Sequence, residues 1–286
     1  MEKARIAFRF GHYGDTFHGS QVQPDVPTVQ GTLMHIFKKK LKWTNERMPV
    51  ALASRTDSGV HVRINGGFID LDQDRWNSMK ETGFVKAVGH QLPQSISIFD
   101  ARQVSSDWSP RRATNRTYRY RMECMEGWVE PNLDDFAKLC AIFEGNHDWS
   151  NYCRREPGRT TQRVIESCRP WQNSGRIIGF EIIGEAFVWN QVRRIANAIH
   201  SVVTGNVSID RLIEARDNPE TEIDLGLAEA DWLILWAVSW EDIPNFHAID
   251  YPISAPDRSS LRWQEVCRLQ QKEILIRQFD IMQGQY

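Results

Sequence analysis

Absences narrow the field first. Cysteine is scarce and odd in number: Cys124, Cys140, Cys153, Cys168 and Cys267 are the full set, and no two stand as C-x-x-C. That argues against a disulfide framework and against a zinc ribbon, and it suits a reducing compartment. No apolar run approaches the length that spans a bilayer. The opening residues, Met1-Glu2-Lys3-Ala4-Arg5, lead straight into an alternating segment, without the apolar stretch and cleavage site of a secretory leader. The expectation is a cytoplasmic chain with no membrane partner. Excess positive charge is also missing. Thirty-five Lys and Arg face 37 Asp and Glu, a formal net charge of −2, and as a sum this speaks against a polyanionic partner.

The distribution is less neutral than the sum. Arg102, Arg111, Arg112, Arg116, Arg119 and Arg121 crowd one stretch, opposed only by Asp107. Arg154, Arg155, Arg159, Arg163 and Arg169 form a second cluster, and acids gather from Asp210 to Asp250. Such a chain can carry a basic face and an acidic back, the footprint of a polyanion site. Arginines scattered around solvated strands fit the same charges equally well.

A length of 286 residues can bury a substantial core. Arg5 to Phe10 alternates with period two and predicts a strand. Val29, Leu33, Phe37 and Leu41 recur every four residues, so 28–41 is expected to be an amphipathic helix capped by Thr28. A short apolar run, 49–53, a turn, 54–59, and a strand, 60–71, follow. A helical pattern with Trp76, Met79, Phe84 and Val88 covers 74–89, and 95–104 returns as a strand. The second half repeats the rhythm: a strand at 117–122, then a helix capped by Asn132 with Leu133, Phe136, Leu139, Cys140 and Phe143. Strands at 161–171 and 176–186 come next, then an apolar helix over 188–204 closed by Gly205, a short helix capped by Ser208, and a strand at 233–240. Residues 258–282 look like a charged terminal helix, a surface or subunit-contact element. The plan is α+β, helices on a largely antiparallel sheet. The expected organisation is 1–105, 106–245 and a helical extension, 246–286.

Chemistry concentrates in Ala53-Ser54-Arg55-Thr56-Asp57-Ser58-Gly59-Val60-His61. Asp and Gly are turn formers, and T-D-S-G also suits a plain hairpin connection. The functional reading is that the turn projects a carboxylate from a rigid strand end into a cleft. Arg55, two residues earlier, would share its side. A nearby guanidinium keeps a carboxylate ionised, and an ionised, held carboxylate can serve as a covalent nucleophile.

The segment R-T-D-x-G-V-H resembles the catalytic signature of the TruA family of tRNA pseudouridine synthases. Further blocks resemble that family in order. Phe17-His18-Gly19-Ser20-Gln21-Val22-Gln23-Pro24 and Thr28-Val29-Gln30-Gly31 resemble F-H-G-W-Q-x-Q-P…T-V-Q-G. Arg116-Thr117-Tyr118-Arg119-Tyr120 resembles R-x-Y-R-Y, and Gly145 to Ser150 resembles G-x-H-D-F-S. Phe187-Val188-Trp189-Asn190-Gln191-Val192-Arg193 resembles F-L-x-N-M-V-R. Ala228 to Val238 resembles A-P-A-x-G-L-x-L-x-x-V. The chain departs at Ser20, where Trp is common, at Ser54 and Ser58, where Gly and Ala are usual, at Arg194 in place of Asn, and at Trp232 in place of Gly.

The resemblance implies a pseudouridine synthase fold of two ferredoxin-like halves, and an isomerase of tRNA uridine acting without metal or cofactor. It makes Asp57 the nucleophile, attacking sugar or base or abstracting a sugar proton. Tyr118 would stack on the flipped base, Arg193 would pair with Asp57, Arg55 would contact phosphate or prop the gap left by the base, and Leu233 or Leu235 would line the base pocket. His18 and His61 would order loops or touch RNA, and Asp148 would close a turn on its own backbone. The expected partners are tRNA, modified in the anticodon arm at positions 38, 39 and 40 or a subset, and a second copy of the chain in a homodimer. The rivals are an RNA-binding protein with a dead site, which intact Asp57, Tyr118 and Arg193 oppose, and a glycosidase, which would need a second positioned acid.

Overall fold

The computed structural model describes residues 2–243 and 261–282. Chain contacts divide the protein into two units, Met1–Pro244 and Asn245–Tyr286.

The first unit is built on one sheet. Its first half runs β1 (Lys3–His12), α1 (Val29–His35), β2 (Ala51–Leu52), β3 (His61–Asp72), α2 (Gln73–Gly89) and β4 (Ile96–Val104). The second half runs β5 (Asn115–Arg121), α3 (Leu133–Ala141), β6 (Gly145–Asp148), β7 (Gln162–Asn173), β8 (Arg176–Gly184), α4 (Gln191–Val203), α5 (Ile209–Asp217) and β9 (Leu233–Ser239). The order across the sheet is β4-β1-β3-β9-β5-β8-β7-β6, with β2 pairing β3. Each half is therefore a βαββαβ unit whose fourth strand lies beside its first, the ferredoxin-like arrangement. In the second half β6 and α5 are additions. The halves meet where β9 runs parallel to the start of β3, His61 opposite Ile234 and Val62 opposite Leu235. The other strand pairs described are antiparallel.

Two apolar clusters hold the halves. Ile6, Phe8 and Phe10 from β1 meet Leu33, Phe37, Trp43, Trp76 and Phe84. In the second, Tyr118, Tyr120, Phe143, Trp149, Phe180, Ile195 and Ile199 are buried together. Phe10 and Ile6 are spaced by the pleat onto one face, and so are Tyr118 and Tyr120.

The periodicity reading placed most elements within a few residues. Thr28 caps α1 by accepting from Gly31 N–H, and Asn132 and Ser208 cap α3 and α5. The expected helix over 28–41 changes character at Ile36, where it widens into a π turn to Lys40. Leu133 is exposed rather than part of the apolar face of α3. The short strand β6 stands where sequence suggested only a turn. The terminal helix, α6 (Leu261–Met282), belongs to the second unit, and its described side chains are exposed. The expected start at 258 falls outside the described residues.

The first arginine cluster does not form one basic face. Along β5 the pleat sends Arg116 and Arg119 to opposite sides of the sheet. Arg119 joins Arg169 on the buried Glu181 and lies 3.9 Å over the Trp236 ring. Arg121 pairs with Glu123, Arg102 with Asp100 and Arg112 with Asp107. Sequence adjacency had suggested a patch; strand alternation and local acids divide it.

Candidate active site

The 54–60 turn lies between β2 and β3, beside the place where β9 joins the two halves. A cleft of about 760 Å³ opens there. The loops 18–23 and 52–58 form one wall, and residues 186–193 form another. Arg116, Tyr118 and Leu233 also line it. Clefts at the seam between two structural halves are common ligand sites.

Asp57 reaches this space because its loop is fixed from several sides. Ser20, fully buried, accepts from Thr56 N–H through Oγ at 2.8 Å, and Ser20 N–H donates to Thr56 O at 3.0 Å. Ser58 Oγ donates to Phe17 O at 3.2 Å. Asn65, buried on β3, accepts from Ser54 N–H and donates to Ser54 O at 3.0 Å. Gly59 turns the chain at a φ of +86°. A side chain there would also press on Asp231 Oδ1 at 3.0 Å. Glycine meets both demands because it tolerates this region and brings no Cβ.

Arg116 is a further brace. Its Nε donates to Ser54 Oγ at 3.0 Å, Nη2 donates to Ala53 O at 3.2 Å, and Nη1 donates to Glu185 O. One guanidinium thus ties the Asp57 loop to β5 and to the loop after β8. Burial lowers its pKa, with Tyr118 and Glu185 opposing. A guanidinium stays charged all the same, and its hydrogen bonds here end on neutral oxygens.

The Asp57 carboxylate has two donors. Arg193 Nη1 lies 3.2 Å from Oδ2, and the Trp189 indole N–H donates to Oδ1 at 3.0 Å. Arg193 is itself anchored, its Nε donating to Ala228 O at 2.8 Å. It sits in the first turn of α4, whose N-cap, Asn190, takes the left-handed conformation at a φ of 65°. Gln191 steadies this entry by accepting from Val188 N–H at 2.9 Å.

Tyr118 lies on β5, 7% exposed, at a bulge against β9 where the strand bends. Its ring meets Phe187 edge to face, with centroids 5.1 Å apart. Burial pushes its hydroxyl up to about 12; Arg116 opposes this and the Asp57 charge adds to it. The phenol is therefore neutral at physiological pH.

The cleft thus gathers Asp57, Tyr118, Arg193, Arg55 and Leu233. Arg55 does not hold Asp57, as its strand-like spacing had suggested. Residues 54–60 are a loop, so alternation does not apply, and Arg55 is exposed with no hydrogen-bond or ion-pair partner among the described residues. Leu235, named with Leu233 for the pocket, is fully buried in the core instead. Trp232 leaves the cleft wall clear, its Nε1 donating to Glu229. His61 Nδ1 accepts from Gly14 N–H at 3.2 Å, a loop-ordering contact, and His18 lines the cleft. Asp148 accepts from Ser150 N–H, Ser150 Oγ and Thr161 Oγ1.

Sequence reading missed Trp189, Arg116 and Asn65. Two departures carried a usable signal. Ser20 and Ser54 replace residues without hydroxyls, and both hydroxyls now secure the loop.

Comparison with known proteins identifies the family. The tRNA pseudouridine synthase family profile matches residues 139–241. The tRNA pseudouridine synthase A of Thermococcus sibiricus is 33% identical over 265 residues, 90% of this chain and 92% of that protein. That of Archaeoglobus fulgidus is 32% identical over 250 residues, 86% of this chain and 87% of that protein. That of Methanosarcina mazei is 30% identical over 261 residues, 90% of this chain and 93% of that protein. A solved Cbf5-Nop10-Gar1 complex overlaps at a TM-score of 0.34 with 14% identity, covering 68% of this chain and 44% of that one, and carries no part of the assignment. Identity of this extent, running through both halves, establishes that the chain belongs to the tRNA pseudouridine synthase family.

Proposed function

We propose that the protein isomerises uridine to pseudouridine in the anticodon arm of tRNA, at positions 38–40 or a subset, with Asp57 as nucleophile. Membership of the family makes it a tRNA pseudouridine synthase. The observation that carries the finer reading is the Asp57 carboxylate itself. It is part-exposed in the cleft and held by donors from the other half of the sheet.

The reaction conserves atoms. The C1′–N1 bond breaks, a C1′–C5 bond forms, C5 loses its proton and N1 gains one. No oxidant or reductant enters. The uridine must first leave its stack, because neither the sugar carbon nor the base edge is reachable within a paired stem. Tyr118 supplies the face on which the flipped base stacks, while Leu233 closes the apolar end of the pocket. Arg193 keeps Asp57 aimed. Arg55, free at the cleft rim, takes a phosphate beside the flipped nucleotide. A homodimer with one tRNA spanning both copies is the assembly we assign.

The test is direct. Unmodified tRNA is incubated with wild type and with Asp57→Asn, and pseudouridine is mapped by chemical sequencing. Anticodon-arm product is expected from wild type alone, with RNA binding largely kept by the variant. Equal product from both proteins would remove Asp57 as nucleophile, and product elsewhere in the tRNA would remove the anticodon-arm assignment.

A further inference from the structure

Trp189 occupies the variable position of the F-L-x-N-M-V-R block, so the family pattern assigns it nothing. It is also 40% exposed and lines the cleft beside Asp57. Its indole N–H donates to Asp57 Oδ1 at 3.0 Å, while Arg193 Nη1 holds Oδ2 at 3.2 Å. The ring does not hang free. The Arg154 guanidinium lies 4.2 Å over its face, and Arg154 N–H donates to Trp189 O at 2.8 Å.

We propose that Trp189 is a positioning residue for Asp57, which fixes the plane of the carboxylate by holding the oxygen that Arg193 leaves free. The inference rests on Asp57 being the nucleophile. A carboxyl group turns easily about its Cβ–Cγ bond, since that torsion has a broad minimum. One donor on one oxygen leaves the turn open; donors on both oxygens close it. Trp189 stands in the turn just before the N-cap of α4 and Arg193 in the first turn of that helix, so one short segment of chain sets both contacts. This is the arrangement that holds a reacting group within the narrow angular range of attack. An indole suits the task. It donates and cannot accept, and it carries no charge, so it holds the oxygen without forming a second ion pair. Each oxygen keeps a second lone pair for the reaction. Arg154, stacked on the indole, keeps the ring in the orientation that points N–H at Asp57.

Trp189→Phe keeps an aromatic face for Arg154 and removes only the donor. Turnover at saturating tRNA should fall about tenfold, the scale of one hydrogen bond to a charged group, while KM for tRNA stays within about twofold. Trp189→His restores a ring N–H and should recover part of the rate. A spectroscopic readout reports the contact itself. The indole ¹H–¹⁵N resonance that disappears in Trp189→Phe should move in Asp57→Ala, which lacks the acceptor. Unchanged kcat in Trp189→Phe, a rise in KM alone, or an indole resonance that ignores Asp57→Ala would each overturn the positioning role. Those outcomes leave the nucleophile assignment intact provided Asp57→Asn is inactive. Turnover by Asp57→Asn sinks that assignment instead, and the two failures are therefore distinct.

Discussion

Two aspartates in this molecule sit in turns of similar make-up, and they have different fates. Asp148, in His147-Asp148-Trp149-Ser150, spends its Oδ1 on Ser150 N–H at 3.0 Å, Ser150 Oγ at 2.6 Å and Thr161 Oγ1 at 2.6 Å. Its donors stand no more than 13 residues away. Asp57, in Arg55-Thr56-Asp57-Ser58, draws Trp189 and Arg193 from 132 and 136 residues along the chain. The first acid closes its own turn. The second is met by the other half of the protein, and its loop is braced by Ser20, Asn65 and Arg116 rather than by Asp57. A carboxylate whose turn is stabilised by other residues is available for chemistry. One whose lone pairs hold the turn together is not.

This contrast makes opposite demands on mutation. Removing a distant partner of Asp57 should cost turnover and little stability. The largest such effect is expected for Arg193→Gln, which breaks the ion pair and the anchor on Ala228 O together. A preorganised electrostatic contact of this kind is worth about 10²-fold to 10³-fold in kcat. Single-turnover rates on saturating tRNA measure the loss directly. Arg193→Lys should fail similarly, because an ammonium cannot reach both acceptors with two separate nitrogens. A fall of less than tenfold in Arg193→Gln would erase the contrast, making the Asp57 partner no more important than a surface ion pair.

Tyr118 comes next in size. If its face carries the flipped base, Tyr118→Leu should lower turnover by about 10-fold to 100-fold, the value of one base–aromatic stack. Tyr118→Phe keeps the ring and should stay much closer to wild type. Comparing the two separates the face from the hydroxyl, which burial holds neutral at about 12. If Phe is as poor as Leu, the hydroxyl rather than the face is what the base requires.

The same contrast explains how much could be read from the chain beforehand. Period-two and period-four patterns report burial along one element, and they placed β1, α2, β4, α3, β7, β8 and β9 within a few residues. Local motifs report turns, so Asp57 and Asp148 were both visible as turn acids. The motif blocks then picked out Asp57, Tyr118 and Arg193. What stayed hidden was long-range pairing. The joining of β9 to β3 cannot be inferred from either strand alone. The donor from Trp189, the brace from Arg116 and the amide of Asn65 each act on a loop far away in sequence, and a single strand's alternation carries no trace of that. The expected role of Arg55 beside Asp57 failed for the same reason. It was argued from a spacing of two residues, while the guanidinium that holds Asp57 arrives from α4. The first arginine cluster shows the same limit, since neighbours along a strand point to different faces, and of its members only Arg111 and Arg116 line the cleft, where Arg159 of the second cluster joins them.

The smallest effect on activity should belong to Asp148, and there stability should respond instead. Asp148→Ala removes the acceptor for two hydroxyls and one backbone N–H. Part of that loss is met by water, because the site is only half-buried, so about 1–2 kcal/mol of folding stability is expected. Turnover by the folded variant should stay within about twofold of wild type. Burial by itself would raise the Asp148 pKa, but the hydrogen bonds from Ser150 and Thr161, helped by Arg155, outweigh it and hold the value below the ordinary aspartate range. The sign of the pH effect follows. A carboxylate with a depressed native pKa binds fewer protons folded than unfolded, so its stabilising contribution is complete above the unfolded value of about 3.9 and fades as pH falls through the native one. The stability gap between wild type and Asp148→Ala, measured by urea denaturation, should hold steady from neutral pH down to about pH 5 and narrow below about pH 4. A gap independent of pH would show that the ionised carboxylate is not what closes the turn. Loss of turnover with unchanged stability would place Asp148 on the Asp57 side of the comparison and dissolve the difference between an acid that builds its turn and the acid proposed to react.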